Sequence, residues 1–134
     1  MSKRLEDSYA IRELSSRYAL LIDTRNFDEL EKLFSANAVY GRGDELMGEG
    51  RENVMAFIRA HFAANPLATF HYSNDVVIDF DPDNLDRAHG VVSGHAETRP
   101  DGQLQLLAVR YADEYVREGG RWLLAKRWLH FPLR

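Results

Sequence analysis

At Pro66 the hydrophobic pattern of this chain changes period, and the change sorts the sequence into two kinds of element. Before it, apolar residues recur at three and four, the spacing of one helix face; after it they alternate, as on strands whose side chains point to opposite faces in turn. Ile11, Leu14, Tyr18, Leu21 and Ile22 predict a helix from about Leu5 to Ile22. Asn26 can cap a second, short helix through Phe34, with Asp28 and Glu29 in its first turn and Lys32 toward its end. "AVYGRGDELMGEG" breaks the periodicity and reads as short strands and turns. A third helix is predicted from Arg51 to Ala64, with Val54, Phe57, Ile58 and Phe62 on its buried side and Asn65-Pro66 ending it. Four long strands follow: Thr69 to Asp81, Arg87 to Arg99, Gln103 to Arg117 and Arg121 to Phe131, joined by "DPDN", "PDG" and "EGG". Helices first and an antiparallel meander after them predict an α+β domain with its helices on one face of the sheet.

Composition narrows the function classes. At 134 residues, 45% hydrophobic and 28% charged, one compact domain spanning 1–134 is expected, large enough to bury its own core. With no cysteine there are no disulfides, zinc knuckles or thiol nucleophiles. A net charge of −4 and a pI near 5.7 argue against nucleic acid as partner. The opening "MSKRLEDSYAIRELSSRYALLID" is interrupted by charges throughout, so neither a signal peptide nor a membrane span is expected, and a cytoplasmic location is the default. "DFDPDNLD" imitates a calcium loop but has Asn84 and Gly90 where Gly and Glu belong, and reads as a turn. "GRGDELMGEG" lacks the Lys-Ser/Thr of a phosphate loop. No metal and no cofactor is expected.

The residues with chemistry to offer are few. In "TFHYSNDVVIDFD" strict alternation groups Phe70, Tyr72, Val76, Ile78 and Phe80 on one face and puts His71 with Ser73, Asp75 and Asp79 on the other. Asp23 closes the first helix, where the macrodipole disfavours an anion by up to about 1 kcal/mol. It can make a local Asx turn, or it can accept an N–H from the His71 ring and leave the other ring nitrogen as an oriented base. Tyr18 lies on the stripe facing the sheet; as a core residue its hydroxyl needs a partner, and a substrate oxygen is one candidate. His95 sits at matching depth on the next strand, as satisfied structure or as a second pocket group. In "VRYADEY" Val109, Tyr111, Asp113 and Tyr115 share a face, and a buried Asp113 would pair with Arg127. A cavity between helices and sheet would be shaped by Tyr40, Phe57, Phe62, Leu106 and Trp128, with His95, Tyr111 and Arg127 as further candidates. In "RWLLAKRWLHF" Trp122, Leu124 and Trp128 alternate with Leu123, Ala125, Leu129 and Phe131, so both faces of the last strand are apolar. The chain's own helices can cover one; a second copy, pairing through the sheet face, is the simplest cover for the other.

"IRELSSRYALLID", "FDELEKLFSANAVY", "TFHYSND" and "VRYADEYVREGGRWLLAKR" resemble, in order and across nearly the whole chain, the SnoaL-like branch of the nuclear transport factor 2 superfamily. The resemblance implies a cone-shaped α+β fold, three helices against a strongly curved sheet, a pocket between them and a sheet-face dimer. The pattern Tyr18, Asp23, His71 is similar to that of the scytalone dehydratase, bile acid dehydratase and hexachlorocyclohexane dehydrochlorinase members. Asp23 and His71 match the dehydrochlorinase's proton-abstracting dyad, Tyr18 matches the tyrosine of the dehydratases, and His95 falls near the second histidine of scytalone dehydratase, whose other tyrosine has no assigned counterpart here. The function implied is a cofactor-independent lyase, dehydratase-like, acting on a small apolar cyclic substrate with His71 as base, Asp23 as its orienter and Tyr18 as acid or polariser. The alternatives are a proton-transfer isomerase or a non-catalytic binding or dimerisation domain. Curved sheets of this kind carry bulges, each of which inverts the alternation beyond it. A bulge between His71 and Val76 would put His71 and Ile78 on the same, cavity-facing side.

Overall fold

A computed structural model describes residues 3–134. The order is α1 (Lys3–Asp23), α2 (Phe27–Glu31), β1 (Phe34–Arg42), β2 (Glu45–Glu49), α3 (Arg51–Ala64), β3 (Phe70–Phe80), β4 (Arg87–Thr98), a 3₁₀ turn (Pro100–Gly102), β5 (Gln105–Glu118) and β6 (Arg121–His130). The strands form one open sheet in the order β2-β1-β6-β5-β4-β3, in which only β1 and β6 run parallel. All three helices lie on one face. α1 packs across β3 and β6, and α3 across β1 and β2. This is the predicted α+β layering.

The core is the meeting of these stripes. Ile11, Leu14, Tyr18 and Ile22 of α1 and Val54, Met55 and Ile58 of α3 pack on Phe34, Val92, Tyr115 and Leu124 of the sheet. α2 is shorter than the sequence implies. Its Asn26 side chain accepts from the Glu29 N–H as a cap should, but Phe34 does not end the helix; it opens β1, because the Leu33 carbonyl accepts the Leu124 N–H and draws the chain into the sheet. The β5–β6 hairpin turns at Gly119 and Gly120, both at positive φ, the conformation that matches the strands' twist. "DPDN" is a turn held by Asp81 and Asn84, whose side chains accept from the Asp83 and Asp86 N–H groups.

Bulges decide which side chains face the helices. β3 pairs Ser73 with Gly94 and then Asp75 with Ser93, so Asn74 is an inserted residue. Val76, Ile78 and Phe80 therefore reach the core from the same side as His71, while Val77 is exposed. In β6, Lys126 pairs with Glu114 and Leu124 with Tyr115, leaving Ala125 as the extra residue. The alternation read for this strand is corrected accordingly: Trp122 and Leu124 before the bulge and Arg127 and Leu129 after it all face inward, and Trp128 faces outward over Gly41.

Candidate active site

The site begins where α1 stops. The Asn26 N–H bonds to the Leu21 carbonyl and the Arg25 N–H to that of Ile22, a Schellman closure with Arg25 at φ 58° in the left-handed position usually given to glycine. Arginine supplies what glycine could not. Its guanidinium donates to the Ile22 and Leu67 carbonyls and to the Thr69 hydroxyl, and lies 4.3 Å from the Phe62 ring centroid. The cation thus offsets both the open end of the helix and the carboxylate of Asp23.

Asp23 is turned toward β3. Its Oδ1 accepts from the Thr69 hydroxyl at 2.9 Å and its Oδ2 from the His71 N–H at 2.6 Å. His71 Nδ1 lies 2.6 Å from Asp23 Oδ1, and both side chains are more than four-fifths buried. A carboxylate already holding two donors can only accept from the ring, so Nδ1 carries the proton and Nε2 keeps a free lone pair. The Asx-turn alternative for Asp23 gives way to this pairing. The carboxylate bridges the end of a helix to the start of a strand.

His71 lines a cavity of about 190 Å³ between α1, α3 and the inner face of the sheet. Its buried end is formed by Tyr18, Ile22, Tyr40, Ile58 and Tyr111, and half-buried Phe57, Phe62, His61 and Arg42 stand nearer solvent. The Tyr18 hydroxyl does not reach the dyad in hydrogen-bonding contact; it is paired with that of Tyr40 at 2.7 Å. Of two phenols sharing one hydrogen bond, one O–H remains free to donate elsewhere. Burial raises the Tyr18 phenol well above its usual range, with Tyr40 and Tyr111 adding to the rise and Arg127 opposing it. Burial likewise raises Tyr40 and Tyr111. All three are neutral donors near neutral pH.

Arg127 lies beneath this floor. It is fully buried and clamps Asp113 through Nε at 2.9 Å and Nη2 at 2.7 Å, with Ser15 accepting a further bond from Nη2. Its guanidinium sits 4.4 Å from the Tyr18 ring centroid and 4.2 Å from that of Tyr111, and Nη1 has no hydrogen-bond partner among the described residues. Those two ring faces are its counterpart. The paired Asp113 expected from the sequence is present, as a support of the site.

The structure gathers Tyr18, Tyr40, Phe57, Phe62, His71 and Tyr111 on the cavity wall, with Asp23 behind His71. It leaves four candidates off the wall: Arg127 is sealed beneath the tyrosine floor by its pairing with Asp113, and three others lie outside. His95 is on the outer face, ring to ring with Tyr72 at 5.5 Å and bonded to Asn74. Leu106 pairs with Glu97 and is exposed, and its neighbour Leu107 lines the cavity instead. Trp128 is turned outward by the Ala125 bulge and donates to the Gly43 carbonyl. Arg42 and His61 were not anticipated. Their signals were the strand spacing from Tyr40 to Arg42 and the helical spacing from Phe57 to His61. Among the described residues, no three His, Asp or Glu side chains assemble as a metal site, and no helix is long and apolar enough to cross a membrane.

An open bulged sheet wrapped over three helices, with the Asp23–His71 pair and three tyrosines around the hollow, defines a pocket-bearing α+β cone of the nuclear transport factor 2-like kind. The chain belongs to the SnoaL-like domain family, whose model matches residues 3–128. Among solved structures it is similar to a putative scytalone dehydratase from Novosphingobium aromaticivorans, at 22% identity over 94% of this chain and 84% of that one, with a TM-score of 0.79. It is also similar to an NTF2-like protein with a cystatin-like fold from the same species, at 22% identity, 96% and 84% coverage and a TM-score of 0.79. A third is a hexachlorocyclohexane dehydrochlorinase from Novosphingobium barchaimii, at 21% identity, 94% and 86% coverage and a TM-score of 0.80. At these identities the likeness is one of fold. No curated protein matches the chain in sequence.

Proposed function

We propose that this protein is a lyase that eliminates water, or another leaving group, from a small and largely apolar cyclic substrate, with its own side chains as acid and base. The observation that carries the reading is the 2.6 Å contact between His71 Nδ1 and Asp23, which leaves Nε2 as a basic nitrogen on the wall of an apolar cavity floored by tyrosines. His71 takes a proton from the carbon next to a carbonyl, and the electron pair forms the new double bond as the β carbon–oxygen bond breaks. Asp23 stabilises the imidazolium, which returns its proton to the departing hydroxide as water. The Tyr18–Tyr40 pair donates to the carbonyl oxygen as charge develops on it. The cavity suits a single ring with short substituents, since an engineered apolar cavity of about 150 Å³ holds benzene. The dehydratase and dehydrochlorinase names among its structural relatives fit the same reaction class.

The test is turnover of cyclic β-hydroxyketones such as 3-hydroxycyclohexanone, followed by enone absorbance and product mass. His71→Ala should lose about 10²–10⁴-fold in kcat. Near-full activity in that variant removes the mechanism, a product of unchanged mass makes the protein an isomerase built on the same base, and saturable binding without turnover makes it a binding module. We further propose that two copies pair through the outer face of the sheet, where Val77, Val91, Phe70 and Leu106 are exposed.

A further inference from the structure

One part of the cavity wall is neither apolar nor engaged in the acid–base cluster. Arg42 is two residues beyond Tyr40 on β1 and so shares its inward face, and His61 comes from the last turn of α3; both border the cavity. Among the described residues no carboxylate lies within ion-pair distance of Arg42, and its guanidinium makes no side-chain hydrogen bond. The other arginines of the site are occupied: Arg25 by Ile22, Leu67 and Thr69, and Arg127 by Asp113 and Ser15. A half-buried guanidinium with five donors and no counter-ion has lost solvation without repayment, and a planar anion is what its fork geometry fits.

His61 completes the corner. Its ring stacks on Phe57 at 5.8 Å and meets Phe62 edge-on at 5.0 Å, which fixes it in the aromatic wall. Burial, then Arg42 and Arg25, lower its proton affinity, so near neutral pH it offers an N–H without a second positive charge. One unpaired cation beside one neutral donor suits a monoanion. A cavity of about 190 Å³ has room for one ring bearing such a group.

We propose that Arg42, with His61 beside it, receives a carboxylate carried by the substrate, so that the cavity selects cyclic acids over neutral molecules of the same shape. The proposal rests on the reading of this cavity as the substrate site and names the class of substrate it takes. The carboxylate would anchor one end of the ring at the half-buried rim and leave the opposite carbons to His71 and the tyrosines.

Calorimetric titration of the full chain with 1-cyclohexenecarboxylate and with 1-cyclohexenecarboxamide tests it. In low salt the acid should bind at least about tenfold more tightly than the amide, the value of one charge-assisted contact. Arg42→Gln should abolish the preference, and Arg42→Lys should retain part of it. Equal affinities in the unaltered protein, or a preference that survives Arg42→Gln, overturn the inference. Should Arg42→Gln fail to fold, the Arg42 Nε–H resonance decides in the unaltered protein: it should shift with the acid and not with the amide, and no shift overturns the inference. His71→Gln separates this from the proposed reaction. An acid preference intact in a His71 variant that turns over normally sinks the lyase alone, and a lost preference with His71-dependent turnover sinks only the carboxylate.

Discussion

Asp23 does two jobs with one carboxylate, tying the end of α1 to the start of β3 and holding the His71 ring, and substitution can separate them. In Asp23→Asn the amide oxygen can take the Oδ2 position and still accept from the His71 N–H, with the NH₂ donating to the Thr69 hydroxyl, so the fold should survive. The amide cannot balance an imidazolium, and its NH₂ turned toward Nδ1 would move the ring proton to Nε2 and consume the basic lone pair. Turnover should therefore fall nearly as far as in His71→Ala, about 10²-fold or more, and the double variant should lose little beyond either alone. Strictly additive losses would show that the two residues act separately. His61 allows a second check, by pH. Its folded-state proton affinity lies below that of the unfolded chain, near pH 6.5, so between the two values the unfolded chain binds more protons and stability rises with pH. Relative to His61→Gln, the unaltered protein should lose melting temperature as pH falls below about 6.5. The α3 C-terminus would push the other way by favouring a cation, so an opposite slope would mean that the dipole outweighs burial and the arginines. The contact between Asp23 and His71 was legible because each is an unusual residue in its element and the pair matches the family pattern, whereas the hydroxyl of Tyr18 went to Tyr40, which the sequence did not indicate. Arg42 and His61 were not: an arginine ending a strand and a histidine in a last turn are ordinary surface features until tertiary packing turns them inward.

Elements were legible where period alone decides, and they failed where a ladder shifts by one residue. α3 falls at Arg51–Ala64 as the 3.6 spacing and the Asn65-Pro66 stop require. In β3 the inserted residue lies between His71 and Val76, where the resemblance allowed for one; in β6 it was not foreseen and inverts every later side chain, which is why Trp128 was expected in the cavity and lies on the outer face. The β3 bulge has a sequence device of its own, Gly94, opposite Ser73: a Cβ there would press into the Tyr72 carbonyl oxygen. Gly94→Ala should therefore push β3 away just where His71 leaves the strand for Asp23. The expected cost is about 1–3 kcal/mol of stability, the range for overpacking, together with a fall in kcat larger than the change in KM, because the base moves while the cavity persists. A variant that melts and turns over as the parent would show that the strand accommodates the methyl elsewhere and that the bulge does not need this glycine.

The whole molecule repeats one arrangement: helices cover the inner face of the sheet, and no part of the described chain covers the outer one. That face carries rows set by the ladder. Val77, Val91, Ala112 and Trp128 run across β3, β4, β5 and β6 as an apolar row. Asp75, Ser93 and Arg110 flank it on one side, and Asp79, His89, Glu114 and Lys126 on the other. In each flanking row an acidic group lies at the β3 edge and a basic group toward β5 or β6, with Glu114 beside Lys126 in the second row. A two-fold axis running along the strands between β4 and β5 would lay Asp79 over the partner's Lys126 and His89 over the partner's Glu114 while the apolar rows meet, a self-complementary pattern. Val77 is 58% and Val91 40% exposed, more than a stable isolated surface gains by showing them side by side. A dimer burying upward of about 1,000 Å² in total is expected at micromolar concentration, measurable by sedimentation or light scattering. Val77→Asp with Val91→Asp should give a monomer with an unchanged circular dichroism spectrum, since neither side chain touches the core, and it should retain the His71-dependent reaction because the cavity lies on the other side of the sheet. A parent protein that sediments as a monomer at that concentration would leave the outer face without a partner of its own kind.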